Sequence, residues 1–142
     1  MNAISFYRKS RWLYLHKIPV LPKLIKGITF VIFNCVVPYT AEIGEETKFA
    51  YGGMGCVIHS RAKIGKRVLI GQNTTIGRAL DPETIPEIGD DVYISAGVRI
   101  VGKIKIGNNV IIGANAVVNK NFEDIFQILF PGGNAKLELD NP

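Results

Sequence analysis

An aliphatic residue recurs every six positions through the middle of the chain, and few folds tolerate that period. From Ile58 the step gives Ile64, Ile70 and Ile76, and it resumes as Ile88, Ile94, Ile100, Ile106, Ile112 and Val118. Ile43 begins one further unit upstream. Glycine follows directly at Gly44, Gly65, Gly71, Gly77, Gly89, Gly107 and Gly113. Four positions after the aliphatics stand Thr47, Ala62, Val68, Thr74, Val92, Val98, Ile104, Val110 and Ala116. On an α-helix a six-residue step turns by roughly 600°, so these isoleucines would scatter around the surface. A long alternating strand is excluded too, because glycine would interrupt it every six residues. A coil with three short flat sides satisfies both facts. Each side turns its aliphatic and its position-four residue inward, and each corner takes a small residue. This period marks a parallel β-helix. Successive coils pair their backbones and stack their isoleucines into one core.

At 142 residues, 47% of them apolar, the chain suits one compact repeat domain with an N-terminal appendage. We divide it into a basic helical cap over 1–36, the β-helix over 37–121, and a C-terminal cap or tail over 122–142. Cys35 and Cys56 form neither a metal cluster nor a disulfide framework, so they read as thiols in a reducing compartment. The first residues lack the pattern of a signal peptide, which fits a cytoplasmic protein. Charge is uneven. Arg8, Lys9, Arg11, Lys17, Lys23 and Lys26 lie within residues 1–41, which hold no acid, whereas the remainder balances 11 basic against 12 acidic residues. The net +5 therefore belongs to the N-terminal segment.

Residues 1–17 read as a basic amphipathic helix carrying Phe6, Trp12, Leu13 and Leu15, broken by the prolines of "IPVLP" (18–22). The apolar segment 23–37 follows. Its uncharged run from Gly27 to Val37 is shorter than the ~20 residues of a spanning helix. These segments are expected to cap the first coil or pack on a neighbouring subunit. A peripheral contact with anionic lipid at the inner face of the membrane is the competing reading. Nucleic acid is not an expected partner, since no reader motif is present and the cations are not interleaved with stacking aromatics. Two irregularities break the repeat: a nine-residue step from Phe49 to Ile58 and a twelve-residue step from Ile76 to Ile88. Insertions on a rigid scaffold are where binding and catalysis concentrate. The apolar segment after Val118 is expected to fold back on the last coil or to pair between subunits.

The segments "AYGGMG" (50–55), "VIHSRAKIG" (57–65), "VLIGQNTTIG" (68–77) and 87–118 resemble the hexapeptide-repeat acyltransferases, in the serine acetyltransferase-like and polysaccharide O-acetyltransferase branch. The resemblance implies a left-handed β-helix, acetyl-CoA as co-substrate, and a homotrimer with active sites between subunits. It also implies a histidine general base. His59 stands at a corner position where most repeats have glycine, directly after the first irregularity, and imidazole titrates near neutrality. A surface corner residue is the plain alternative for His59, and His16 reads as ordinary surface. By the same resemblance, the pantetheine arm of acetyl-CoA runs past Ser95, Ala96, Gly97, Gly113 and Ala114, and Lys120 meets the nucleotide phosphates, with Lys103 and Arg99 as weaker candidates. The plain alternative for the small residues is that a corner needs them anyway. Tyr51, Asn73 and Arg78 are candidate acceptor contacts.

Where serine acetyltransferases carry an Asp-His pair, this chain has Tyr51-Gly52, and the loop over 78–87 lacks their second histidine. The closing "GGNAK" (132–136) lacks the family's proline. We therefore expect transfer of acetyl to a sugar or glycan-precursor hydroxyl. Serine acetyltransferase and a non-catalytic assembly module are the alternatives. No metal is expected, because two histidines cannot supply the three that a zinc carbonic anhydrase of this fold requires.

Overall fold

The computed structural model describes residues 1–80, 84–119, 121 and 128–129, the last pair by backbone alone. Among them, short parallel strands wind into a β-solenoid of about four turns, a left-handed β-helix by its repeats, with two helices at its start. Three sheets form its sides. The first holds β1 (Glu42–Ile43), β4 (Lys63–Ile64), β7 (Glu87–Ile88) and β10 (Lys105–Ile106). The second holds β2 (Lys48–Phe49), β5 (Leu69–Ile70), β8 (Tyr93–Ile94), β11 (Ile111–Ile112) and β13 (Ile128–Leu129). The third holds β3 (Val57–Ile58), β6 (Thr75–Gly77), β9 (Arg99–Val101) and β12 (Val117–Val118).

Register keeps like on like. Ile43, Ile64, Ile88 and Ile106 align across the first sheet, and Ile58, Ile76, Ile100 and Val118 across the third. All of them are buried, as are the position-four residues from Thr47 to Ala116. The two buried threonines of that set are satisfied locally: Thr47 Oγ1 donates to the Gly65 carbonyl at 2.7 Å and Thr74 Oγ1 to Ser95 at 3.4 Å. The polar corner positions have a backbone reason. Glu46, Arg67, Asp91 and Asn109, at the corners between first and second sheets, all have φ of 54–58°. Each of these corners turns through one left-handed residue, a conformation that Asn, Asp and Gly adopt most easily.

Helix α1 (Ala3–Leu15) and helix α2 (Leu21–Phe33) pack on each other and close the first coil. A first coil exposes strand edges with no preceding coil to pair them. Here α1 supplies the partners. Buried Tyr7 donates its hydroxyl to the Ala41 carbonyl at 2.6 Å and accepts from the Ile43 N–H at 3.2 Å. Arg8 donates to the Ile43 and Gly44 carbonyls, and Arg11 to those of Tyr39 and Ala41 at 3.0 and 2.9 Å. Asn2 caps α1 through the Ile4 N–H and donates to the Phe49 carbonyl. Val36 pairs with Val57 at the edge of the third sheet. Two of the N-terminal cations thus serve the coil.

The outward faces differ. The first sheet presents Glu42, Lys63, Glu87 and Lys105 in register, an alternating charge ladder. The second presents Lys48, Leu69, Tyr93 and Ile111, and the third Val57, Thr75, Arg99 and Val117. Of the C-terminal segment, only Ile128–Leu129 lies among the described residues, and it extends the second sheet by pairing with β11. No described helix is long and apolar enough to cross a membrane.

Candidate active site

The two irregularities flank the third sheet, one on each edge. The nine-residue step forms the corner leading from β2 into β3, and the twelve-residue step leaves from the end of β6 toward β7. The sequence-predicted site residues divide between these edges.

On the entry edge lie Tyr51, Asn73, Ser95, Ala96, Gly97, Gly113 and Ala114. Register of Ile94 with Ile112 puts Ser95 beside Gly113 and Ala96 beside Ala114. The corner is laced by backbone bonds: Asn73 N–H to Met54 O, Gly97 N–H to Gln72 O, and Asn115 N–H to Ala96 O, all at 2.8–2.9 Å. Coils approach so closely here that a Cβ on Gly71 would meet the Ala96 nitrogen at 2.5 Å. Asn115 Oδ1 likewise fills the space beside Gly97, whose φ is 74°. Ala96 is half-buried and Ala114 exposed, so the edge carries nothing larger than a methyl at those two positions. Tyr51 stands out from a 3₁₀ turn (Ala50–Gly53), 78% exposed and with φ of 48°. Arg99 reaches back over this edge, donating to the carbonyls of Asn73, Gly97 and Val98.

On the exit edge lie His59 and Arg78. Half-buried His59 pairs by its N–H with Ile76 O at 2.8 Å, so Gly77 and the inserted loop sit one coil over it. Its Nδ1 accepts from the Arg61 N–H at 3.1 Å. In the neutral ring the proton then resides on Nε2. The loop base closes through Ala79 N–H to Thr84 O, and Asp81, Pro82 and Glu83 at its tip are outside the described residues. A hollow of about 380 Å³ opens beside the loop, lined by Thr84, Ile85, Glu87, Lys103, Ile104, Lys105 and Asn121. Periodicity gave no sign of it, because its walls combine an insertion with the first sheet and the corner leading into that sheet. Lys120 and the "GGNAK" segment also lie outside the described residues. His16 is exposed and stacks on Trp12, with ring centroids 4.0 Å apart.

Residues 86–120 match the bacterial transferase hexapeptide family (six repeats), and residues 61–80 the hexapeptide repeat of succinyl-transferase. Serine acetyltransferase of Synechococcus elongatus is 33% identical over 105 residues, covering 72% of this chain and 43% of that protein. That of Staphylococcus xylosus is 40% identical over 106 residues, covering 73% and 49%. A solved serine acetyltransferase in complex with CoA superposes over 91% of this chain and 53% of its own, with a TM-score of 0.77 and 29% identity. The chain is a serine acetyltransferase-like member of the hexapeptide-repeat acyltransferases. The Neisseria gonorrhoeae serine acetyltransferase in complex with serine gives a TM-score of 0.81 and 29% identity, covering 94% of this chain and 54% of its own. The chain thus spans about half the length of the curated relatives it matches.

Proposed function

We propose that the chain is an acetyl-CoA-dependent O-acetyltransferase whose acceptor is a small hydroxyl compound, L-serine before a glycan hydroxyl. The observation that carries this reading is the superposition of 91% of the chain on a serine acetyltransferase in complex with CoA. Acetyl-CoA supplies the activated acetyl group as a thioester. Ser95, Ala96, Gly97, Gly113 and Ala114 line the arm, with Lys120 toward the phosphates. His59 takes the proton of the acceptor hydroxyl as that oxygen attacks the thioester carbonyl, and returns it to the sulfur of CoA as the C–S bond breaks, acid–base work worth ~10²–10⁴-fold in rate. Base action from Nε2 requires the other tautomer, so Nδ1 first gives up the Arg61 N–H, at a cost of about 1 kcal/mol.

The two edges face away from each other across the third sheet, so one chain's entry edge meets an exit edge only on a neighbouring copy. We place the sites between the subunits of a homotrimer, the assembly that the resemblance implies. The apolar outward residues Leu69, Tyr93 and Ile111 support it, as does the contrasting charge ladder on the first sheet. Tyr51, Asn73 and Arg78 are the acceptor contacts of this reading, and the mixed charges around the nearby loop hollow, Glu87 with Lys103 and Lys105, suit the approach of a zwitterion. A second reading, a sugar or glycan-precursor hydroxyl in polysaccharide biosynthesis, is favoured by Tyr51-Gly52 in place of the Asp-His pair of the resembled enzymes. The test is thiol release from acetyl-CoA by the purified chain, with L-serine and with a sugar panel as acceptors. Release with serine supports the first reading, and release with sugars alone supports the second. No release with either overturns both.

A further inference from the structure

Helix α2 has its amphipathicity reversed for a helix lying on a protein. Its buried residues are Pro22, Thr29 and Phe33, with Ile25 half-buried beside them. Leu24, Ile28 and Val31, spaced i, i+4, i+7 along the other face, are exposed, Val31 at 81%. Phe30 and Ile32 flank them, also exposed. Trp12, Leu15 and Val20 add exposed apolar surface from α1 and the link between the helices. Contiguous apolar surface of this kind marks a docking face.

The charges around it select the partner. Arg8 and Arg11 are held by first-coil carbonyls, which leaves Lys9, Lys17, Lys23 and Lys26 as the exposed cations of this end. No carboxylate side chain lies within residues 1–41. Two copies docking through this surface would bring lysines against lysines with nothing to neutralise them. A surface of phosphate headgroups has the opposite sign.

We propose that this end of the molecule docks on an anionic lipid bilayer. Helix α2 lies in the headgroup plane, Leu24, Ile28 and Val31 reach the acyl boundary, and the four lysines meet lipid phosphates. At 13 residues α2 is about 20 Å long, too short to span and sufficient to lie in the surface. Apolar insertion and a polybasic rim are the two signals that together hold a protein on a membrane reversibly.

Sedimentation of the full chain with vesicles tests this, using phosphatidylcholine alone or with about one-third phosphatidylglycerol. Binding is expected only to the anionic vesicles. It should fall as salt rises from 0.1 M to 1 M, where the screening length contracts from ~10 to ~3 Å. Lys23→Glu with Lys26→Glu should weaken partitioning by at least about fivefold per lysine. Leu24→Glu with Val31→Glu should abolish it while circular dichroism and oligomeric state stay unchanged, since both side chains are exposed. Equal sedimentation with the two vesicle types, or none with either, overturns the proposal. A change of oligomeric state in Leu24→Glu/Val31→Glu overturns it as well, because the face then joins copies of the chain.

Discussion

The two edges of the third sheet come from one repeat, yet they are opposites. The entry edge is narrow: coils touch backbone to backbone, Gly71 has no room for a methyl, and the outermost side chains at Ala96 and Ala114 are small. The exit edge is loose. An imidazole replaces the corner glycine, a loop leaves one coil above it, and a Cβ on Gly77 would find nothing nearer than Thr75 Cγ2 at 3.7 Å. Inward packing and strand pairing repeat unchanged from coil to coil, which leaves the outward parts of the corners free to diverge. One is closed by backbone contact, the other opens around an imidazole and an inserted loop.

That contrast can be broken first at His59. His59→Ala is expected to lower kcat by ~10²–10⁴-fold in the thiol-release assay. His59→Asn sharpens the test, because its side-chain oxygen can still accept from the Arg61 N–H: stability should stay near wild type while activity is lost. Full activity in His59→Asn would reduce the imidazole to a turn cap. On the entry edge, Ala114→Trp is expected to raise the KM for acetyl-CoA at least about tenfold with kcat less affected and the melting temperature unchanged, as the position is exposed.

Paired glycine substitutions compare the packing directly. Gly71→Ala must displace backbone and should cost about 1–3 kcal/mol, read as a lower melting temperature. Gly77→Ala should cost well under that. The smallest effect lies beneath the entry edge. Burial, then the neighbouring Cys56, pushes the Cys35 thiol up to about 11. Alkylation at pH 8 should therefore be negligible until the chain unfolds. The raised value favours the protonated folded state, so this contribution to stability is complete below pH 9 and is lost as pH rises toward 11.

Most of the scaffold was legible because inward positions obey a strict period. Every isoleucine from Ile43 to Ile112 that the six-residue step selects is buried. Stacking of Ala96 on Ala114, 18 residues apart, follows from counting one whole coil. The division of the site between two edges was not drawn from that count, since it depends on which corner each irregularity occupies. Nor was the hydrogen bond that fixes the His59 tautomer, which arises from a turn. The N-terminal helix read as basic and amphipathic. That Arg8 and Arg11 would turn inward to carbonyls depends on the unpaired edge of the first coil, a tertiary feature with no local pattern.

That unpaired edge has a wider consequence. A stack of coils has no inherent length: the last coil of one molecule presents the complement of the first coil of another, and joining them head to tail generates an open-ended fibre. Tyr7, Arg8 and Arg11 occupy the carbonyls and the N–H that a newcomer would need. Helix α1 therefore works as a chain terminator in the polymer chemist's sense. By occupying those groups it stops a second copy from adding a coil at this end.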